Sequence, residues 1–342
     1  MDVFLDMSPQ DRRLACTQAE ERMGLQAASI EKDLCACWTL HELADLPDLG
    51  SHLTFKGGTS LSKAWRLIER FSEDIDLVVD REPFGFAGDA SPERAPSNNQ
   101  RKRRIKELID QCRRWVQDRL RPALAERIAV RVGPMGPCSL EVDPDAQDGQ
   151  CLLFSYPGAF RGTEAGYVRP VVKIELGARS DDWPAEPRRL VPYLAEALPE
   201  IAPDTGFSFR TLAAERTFWE KAMLLHEETF RPADKPRKLR MARHYYDIWC
   251  LIARGVAERA AVARDLFERV AEHRQVYFNW SWVDYETLRP GSLRLLPPEE
   301  HLASWRDDYR AMSSAMFFGK VPTFEEILEG VGDFERRFNE QA

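Results

Sequence analysis

A glycine pair set between a short apolar run and two alternating acids constrains this chain more than any other feature. His52-Leu53-Thr54-Phe55-Lys56 runs into Gly57-Gly58-Thr59-Ser60, and Phe71-Ser72-Glu73-Asp74-Ile75-Asp76-Leu77 follows. Residues 52–56 suit a strand. The glycines allow a sharp turn that brings backbone N–H groups close to a ligand, and Thr59 or Ser60 would cap the helix beyond. That helix is expected to carry Leu61, Ala64, Trp65 and Ile68 on one face, with Lys63, Arg66, Glu69 and Arg70 on the other. Its N-terminus, with free N–H groups and the positive end of the dipole, favours a phosphate beside the glycines. In the strand that follows, Asp74 and Asp76 share one face while Ile75 and Leu77 take the other. Two such carboxylates repel each other unless a cation lies between them, and hard oxygen ligands suit Mg²⁺ or Mn²⁺.

The 342 residues suffice for a large core and two domains, expected at 1–205 and 206–342. No apolar run approaches the roughly 20 residues needed to cross a bilayer. Residues 1–11 are acidic and polar, unlike a signal peptide. The seven cysteines are scattered without framework spacing, so buried thiols in a reducing cytoplasm are expected. A net charge of −8 argues against a general nucleic-acid coat; a polynucleotide would have to meet a local basic surface.

Along the chain, residues 8–46 read as helices, with a start at Ser8-Pro9 and a second cap at Ser29. Taken alone, Glu31-Lys32-Asp33 is a solvated helical turn. Residues 81–100, rich in Pro, Gly, Ala, Ser and Asn, read as a surface loop. Arg101-Lys102-Arg103-Arg104 opens a long helix to about Arg127, and this basic run is either a contact for RNA phosphates or a solvated helix end. From Ile128 the period changes to two, predicting strands at Ile128–Gly133, Cys138–Asp143, Cys151–Tyr156 and Val168–Ala178. In the last, Lys173 and Glu175 share a face. A lone glutamate in an apolar strand needs a partner, and a metal is one; Glu141 is its rival. Residues 180–206, with five prolines, look like a connector. Helical periodicity resumes at Thr211 and carries Glu220-Lys221, a basic stretch Lys235–Arg243, and Arg243 four residues from Asp247 on one helix face. Tyr277-Phe278-Asn279-Trp280-Ser281-Trp282 is either a packed aromatic seam or a base-stacking surface.

Phe55-Lys56-Gly57-Gly58-Thr59-Ser60-Leu61-Ser62-Lys63 with Phe71-Ser72-Glu73-Asp74-Ile75-Asp76-Leu77 resembles the first signature of the DNA polymerase β-like nucleotidyltransferases. Within that superfamily it is similar to the AbiEii/AbiGii toxins of type IV toxin–antitoxin and phage-defence systems, whose Glu-Lys-Asp before the glycines also matches residues 31–33. The Glu220-Lys221 helix followed by Arg243-His244-Tyr245-Tyr246-Asp247 resembles the second half of the signature, although His244 stands where many relatives place an aspartate. The resemblance implies an α+β fold, with a mixed sheet, flanking helices and a C-terminal helical domain that contributes to a nucleotide pocket between the domains. It implies Asp74, Asp76 and Glu175 as ligands of Mg²⁺ or Mn²⁺, and catalytic roles for these three with Lys221 and Asp247. It implies contacts to the NTP from Gly57, Gly58, Thr59, Ser60, Lys63, Lys221 and Arg243. The implied reaction is transfer of a nucleoside monophosphate from an NTP to an acceptor, with tRNA as the expected acceptor, in the cytoplasm, with a cognate antitoxin that forms no stable complex. A protein or small-molecule acceptor, or NTP binding without turnover, are the alternatives. A P-loop is disfavoured, because the stretch lacks Gly-Lys-Ser/Thr after a four-residue gap.

Overall fold

In this computed structural model the described residues are 1–72, 74–160, 168–201, 205–317 and 321–341; Glu73 of the acidic motif lies outside them. The chain divides into two compact units. One comprises Met1–Ala64, Phe71–Ser91 and Lys102–Leu212, and the other Trp65–Arg70, Pro92–Arg101 and Ala213–Ala342.

The first unit is built on a seven-stranded mixed sheet of β1 (Leu53–Lys56), β2 (Ile75–Val79), β3 (Ser139–Val142), β4 (Cys151–Ser155), β5 (Val171–Gly177), β6 (Ala185–Leu190) and β7 (Phe207–Leu212). Their spatial order is β3-β4-β5-β2-β1-β7-β6. The pairs β2–β5 and β1–β7 are parallel and the others antiparallel. Its helices are α1 (Asp2–Leu5), α2 (Pro9–Met23), α3 (Ala27–Ala44), α4 (Gly57–Lys63), α5 (Asn98–Trp115, from Lys102 onward), α6 (Arg121–Arg131) and α7 (Tyr193–Ala197). Ser8 caps α2 through the Asp11 N–H, with Pro9 at the first helical position, where its missing donor costs nothing. The second helix begins at Ala27 and not at Ser29, with Gln26 before it.

The strands at 139–142, 151–155 and 171–177 follow the period-two reading. Residues 128–133 do not: Leu124, Ile128 and Val132, four apart and at most 3% exposed, continue the helical stripe of α6. Between α5 and α6 the backbone forms one π turn at Val116–Leu120, where Pro122 has no N–H to continue the ladder. The expected connector also contains structure. Residues 185–190 pair antiparallel with β7, so the sheet extends to Leu212 and the boundary between units falls after it, beyond the expected residue 205.

Helix α3 packs on β5 and β7 and is buried nearly all round, with Ile30, Leu34, Cys37 and Trp38 at most 2% exposed. Each such apolar side chain contributes roughly 1.5–3 kcal/mol. Glu31-Lys32-Asp33 is buried with it, contrary to the solvated reading, because partners from distant segments satisfy its acids. Arg12 Nε lies 2.9 Å from Glu31 Oε1, and the Ala159 N–H donates to the same carboxylate at 2.8 Å. Asp33 takes Lys63 Nζ at 3.0 Å and the Tyr193 N–H at 2.7 Å. All seven cysteines are free thiols and six are buried.

The second unit is helical: α8 (Ala214–Thr229), α9 (Arg243–Ala253), α10 (Val256–Val262), α11 (Arg264–Tyr277), α12 (Glu299–Met316) and α13 (Phe324–Asn339). Its core is aromatic. Trp219 packs at 4.8–6.1 Å between ring centroids against Phe218, Phe267, Phe334 and Phe338, and its Nε1–H donates to the Ala260 carbonyl at 3.0 Å. Thr323 and Glu326 close a capping box at the start of α13. The basic stretch before α9 is irregular backbone and not the expected helix. Among the described residues no helix is long and apolar enough to cross a membrane.

Removing one partner of a buried ion pair leaves an uncompensated charge. Lys63→Ala should therefore lower the unfolding free energy by about 3–5 kcal/mol in a urea titration. An Asp33→Leu/Lys63→Met double variant should recover most of that loss.

Candidate active site

The glycine turn and the acids meet at the centre of the sheet. Strand β1 ends at Lys56, and Gly57 turns the chain with φ +80°. A Cβ at Gly57 would fall 2.0 Å from Asp76 Oδ2, so glycine is required for close approach as well as for the left-handed backbone. The register aligns Lys56 with Asp76 across β1–β2, and Asp76 with Glu175 across β2–β5. Side chains opposite each other on paired strands share a face, so Lys56, Asp76 and Glu175 form one row. Glu141 lies on edge strand β3, three strands from β2, opposite Leu153 of β4.

Asp74 precedes β2 instead of lying within it. Its carbonyl accepts the Thr59 hydroxyl at 2.5 Å, and that hydroxyl also meets Ser72 Oγ at 2.9 Å. Ser60 Oγ donates back to the Gly57 carbonyl at 2.9 Å. Both hydroxyls, expected to face phosphates, are thus buried and tie the turn to the acidic segment. Helix α4 stops at Lys63 after seven residues, so residues 65–70 do not extend it. Lys63 itself is buried on Asp33, its Nζ 3.4 Å from the Tyr193 ring centroid. Asp33's charge outweighs burial and holds the ammonium protonated. Lys63, which the resemblance gave to the nucleotide, is engaged here by Asp33 and Tyr193 beneath the turn.

The electrostatics of the row are unbalanced. Burial, the facing Glu175 charge and nearby Asp74 push Asp76 up to about 7, and a hydrogen bond with Glu175 adds to the rise. Burial of Glu175 is outweighed by the hydrogen bond and charge of Lys173, which draw its carboxyl below the usual range. Lys173 Nζ is 2.7 Å from Glu175 Oε1 and 3.7 Å from Asp143 Oδ2. Lys56 Nζ donates to Ser180 Oγ at 2.7 Å. The Asp76–Glu175 pair therefore holds one proton near neutrality, and its titration belongs to the pair. Among the described residues no three acidic, histidine or cysteine side chains converge tightly enough to hold a metal. With Glu175 drawn to Lys173, the expected trio is not assembled as a cage. The donor chemistry nonetheless fits a hard divalent cation: two carboxylates share a proton that a cation would replace, beside a backbone cleared by Gly57.

The second unit gathers a different cluster. Asp247, fully buried, accepts two hydrogen bonds from Arg70 at 2.6 and 2.8 Å and lies 2.9 Å from Lys221 Nζ. Burial opposes its ionisation, but Arg70 and Lys221 hold it well below the carboxylate range. Arg243 does not pair with Asp247, although they are four apart. Among the described residues its side chain makes no ion pair or hydrogen bond. Lys221 Nζ sits 3.5 Å from His244 Nδ1. Burial, then the charges of Lys221 and Arg243, push His244 far down, so it is neutral. Burial also lowers Lys221, with Arg70 and Arg243 adding to the effect against Asp247. Arg70 and Lys221 face one carboxylate, and Arg243 adds its charge beside Lys221 and His244, an excess that favours a multiply charged anion. Sequence reading missed Arg70: it placed the residue on the face of the expected helix opposite the apolar one, and its partner lies 177 residues away. It placed Lys173 on the face of Glu175 but passed over Lys56 as a member of the acidic row.

A family model described as the nucleotidyl transferase AbiEii toxin of type IV toxin–antitoxin systems matches residues 39–330. Among solved structures, the nucleotidyltransferase toxin MenT4 from Mycobacterium tuberculosis H37Rv aligns with 95% of this chain and 92% of its own, at 18% identity and a TM-score of 0.46. JHP933 from Helicobacter pylori aligns over 91% and 92%, at 13% identity and a TM-score of 0.32. No curated protein matches the chain.

Two substitutions check this geometry. Gly57→Ala should displace Asp76 and lower the melting temperature by several degrees, since both the positive φ and the 2.0 Å contact oppose a side chain. Arg70→Met leaves Asp247 with Lys221 alone and should cost about 3 kcal/mol in chemical denaturation.

Proposed function

Because the chain belongs to the AbiEii family of nucleotidyl transferase toxins of type IV toxin–antitoxin systems, we propose that it transfers a nucleoside monophosphate from an NTP to a hydroxyl of tRNA, releasing pyrophosphate. The observation that carries the chemical part is the Asp76–Glu175 pair, two facing carboxylates with a proton bound near neutral pH. Asp74, Asp76 and Glu175 would hold Mg²⁺ or Mn²⁺, which when bound supplies charge neutralisation for the triphosphate and lowers the barrier to displacement at phosphorus. The residues of the chain do the rest. Gly57 and Gly58 keep the backbone close and unobstructed, and the N–H groups of Gly57–Ser60 are assigned to phosphate oxygens. Lys173 holds Glu175 ionised. Lys221 and Arg243 are assigned to phosphate charge, with Arg243 the cation whose side-chain donors are uncommitted among the described residues. Asp247, clamped by Arg70, fixes Lys221 in place and offsets part of its charge. The acceptor reading draws on the family and on the basic residues 231–243. Growth arrest through tRNA modification, in the cytoplasm and under control of an antitoxin that forms no stable complex, completes the proposal, with phage defence as its setting.

The test is a labelling assay with purified protein, total tRNA, Mg²⁺ or Mn²⁺ and each α-labelled NTP in turn. Native protein should label RNA with one nucleotide, and Asp74→Ala should reduce the rate at least about a hundredfold. Absence of label in RNA with every NTP, despite measurable NTP binding, would remove tRNA as acceptor. The rate should also rise with pH from about 6 to about 8, with a midpoint near the upper titration of the pair at about 7, because cation binding requires the deprotonated form.

A further inference from the structure

The second unit carries a surface feature that neither cluster uses. In the loop after α11, Trp280 and Trp282 stack with ring centroids 4.8 Å apart and planes 20° apart. Lys235 Nζ lies 4.0 Å from the centroid of the Trp282 ring, and the Arg231 guanidinium 5.8 Å from it. Trp280 is 41% exposed. Tyr277, a few residues earlier, is buried, so the aromatic segment divides: its start is core and its end is surface. The Trp280 N–H donates to the Tyr285 hydroxyl at 3.2 Å, and that hydroxyl reaches Glu227 at 3.1 Å, which anchors the loop to α8.

The cations come from one irregular stretch. Residues 231–241 hold Arg231, Lys235, Arg237, Lys238 and Arg240 against Asp234 alone, in a chain whose net charge is −8. Arg231 is taken by Glu228, and Arg237 lies 3.6 Å from the Trp305 ring centroid and 3.6 Å from Glu228. Lys235 and Lys238 are exposed, and Leu239 is 88% exposed between these basic residues. The carboxylates of the Trp282 loop, Asp284 and Glu286, are exposed, and Asp284 accepts the Glu286 N–H. A stacked indole pair left at the surface beside an excess of lysine and arginine is the complement of a flat heterocycle joined to a phosphate. Base stacking on aromatics and electrostatic contact with the backbone are the two terms that bind single strands.

We propose that Trp280 and Trp282, backed by Lys235, form a stacking platform for an unpaired base of a single-stranded RNA segment, with Lys235 and Lys238 meeting the adjoining phosphates. The inference rests on the reading above in taking RNA as the acceptor, and it gives part of that acceptor's recognition to residues other than those assigned to the chemistry.

The experiment measures anisotropy of a labelled, unstructured RNA oligonucleotide titrated with full-length native protein, Trp280→Ala, Trp280→Phe and Lys238→Ala at several salt concentrations. Trp280→Ala should raise the Kd about tenfold, the scale of one lost base stack, while Trp280→Phe stays within about twofold. Lys238→Ala should weaken binding and reduce the salt slope by about one. NTP binding without RNA should be unchanged in all three. Equal RNA affinity for native protein and Trp280→Ala overturns the proposal. So does a Trp280→Ala defect seen only with anionic phospholipid vesicles, which would make the platform a membrane contact. Asp74→Ala keeps the two readings separable: it should abolish label transfer while leaving RNA affinity intact. A tenfold loss in Trp280→Ala alongside failed labelling would retain the platform and discard the nucleotidyl-transfer reading for RNA.

Discussion

Everything at the acidic cluster follows from placing two carboxylates on neighbouring parallel strands. Asp76 and Glu175 face each other across β2 and β5, where strands lie about 4.8 Å apart, and both cannot ionise freely at that separation. The chain responds with three devices. The pair retains a proton near neutral pH. Lys173 and Lys56 bring positive charge from the same face. Gly57 withholds a side chain where any Cβ would strike Asp76. The apolar neighbours Ile75, Leu77, Ile174 and Leu176 are at most 5% exposed, so the strands cannot slip by one residue to separate the acids without turning apolar side chains outward. The electrostatic strain is therefore built into the register of the sheet, and a divalent cation is the ligand that relieves it.

The second unit solves the opposite problem. Arg70 and Lys221 converge on one buried carboxylate, Arg243 adds charge beside Lys221, and the bidentate Arg70–Asp247 pair is the rigid part of that arrangement. Such a pair gives geometric specificity as well as energy. It fixes Asp247, Asp247 fixes Lys221, and Arg243, without a side-chain partner among the described residues, carries the surplus charge. His244, neutral beside Lys221, adds a hydrogen-bonding nitrogen without further repulsion.

Much of this was legible in the sequence because it is local. The glycine turn, the alternation Asp74-Ile75-Asp76 and the period-two runs at 139–142, 151–155 and 171–177 depend on residues within a few positions. What stayed hidden depends on partners far along the chain. Glu31 and Asp33 look solvated until Arg12, Ala159, Lys63 and Tyr193 come to them. Lys63 sits in a phosphate-binding pattern but is claimed by Asp33. The i,i+4 spacing suggested Arg243 for Asp247, whereas the bidentate partner is Arg70. Residues 128–132 misled for another reason: a short apolar run satisfies both periodicities, and only burial of the 124–128–132 stripe decides for helix.

The account turns on a proton that a cation displaces. Calorimetric titration of the protein with Mn²⁺ at about pH 6.5, below the upper titration of the pair at about 7, in two buffers of different ionisation enthalpy, counts that proton directly. The account predicts release of between about half and one proton per metal bound at that pH, falling toward none as pH rises well above 7, with binding lost in Asp76→Asn. Metal binding with no proton released, or with undiminished affinity in Asp76→Asn, would contradict it.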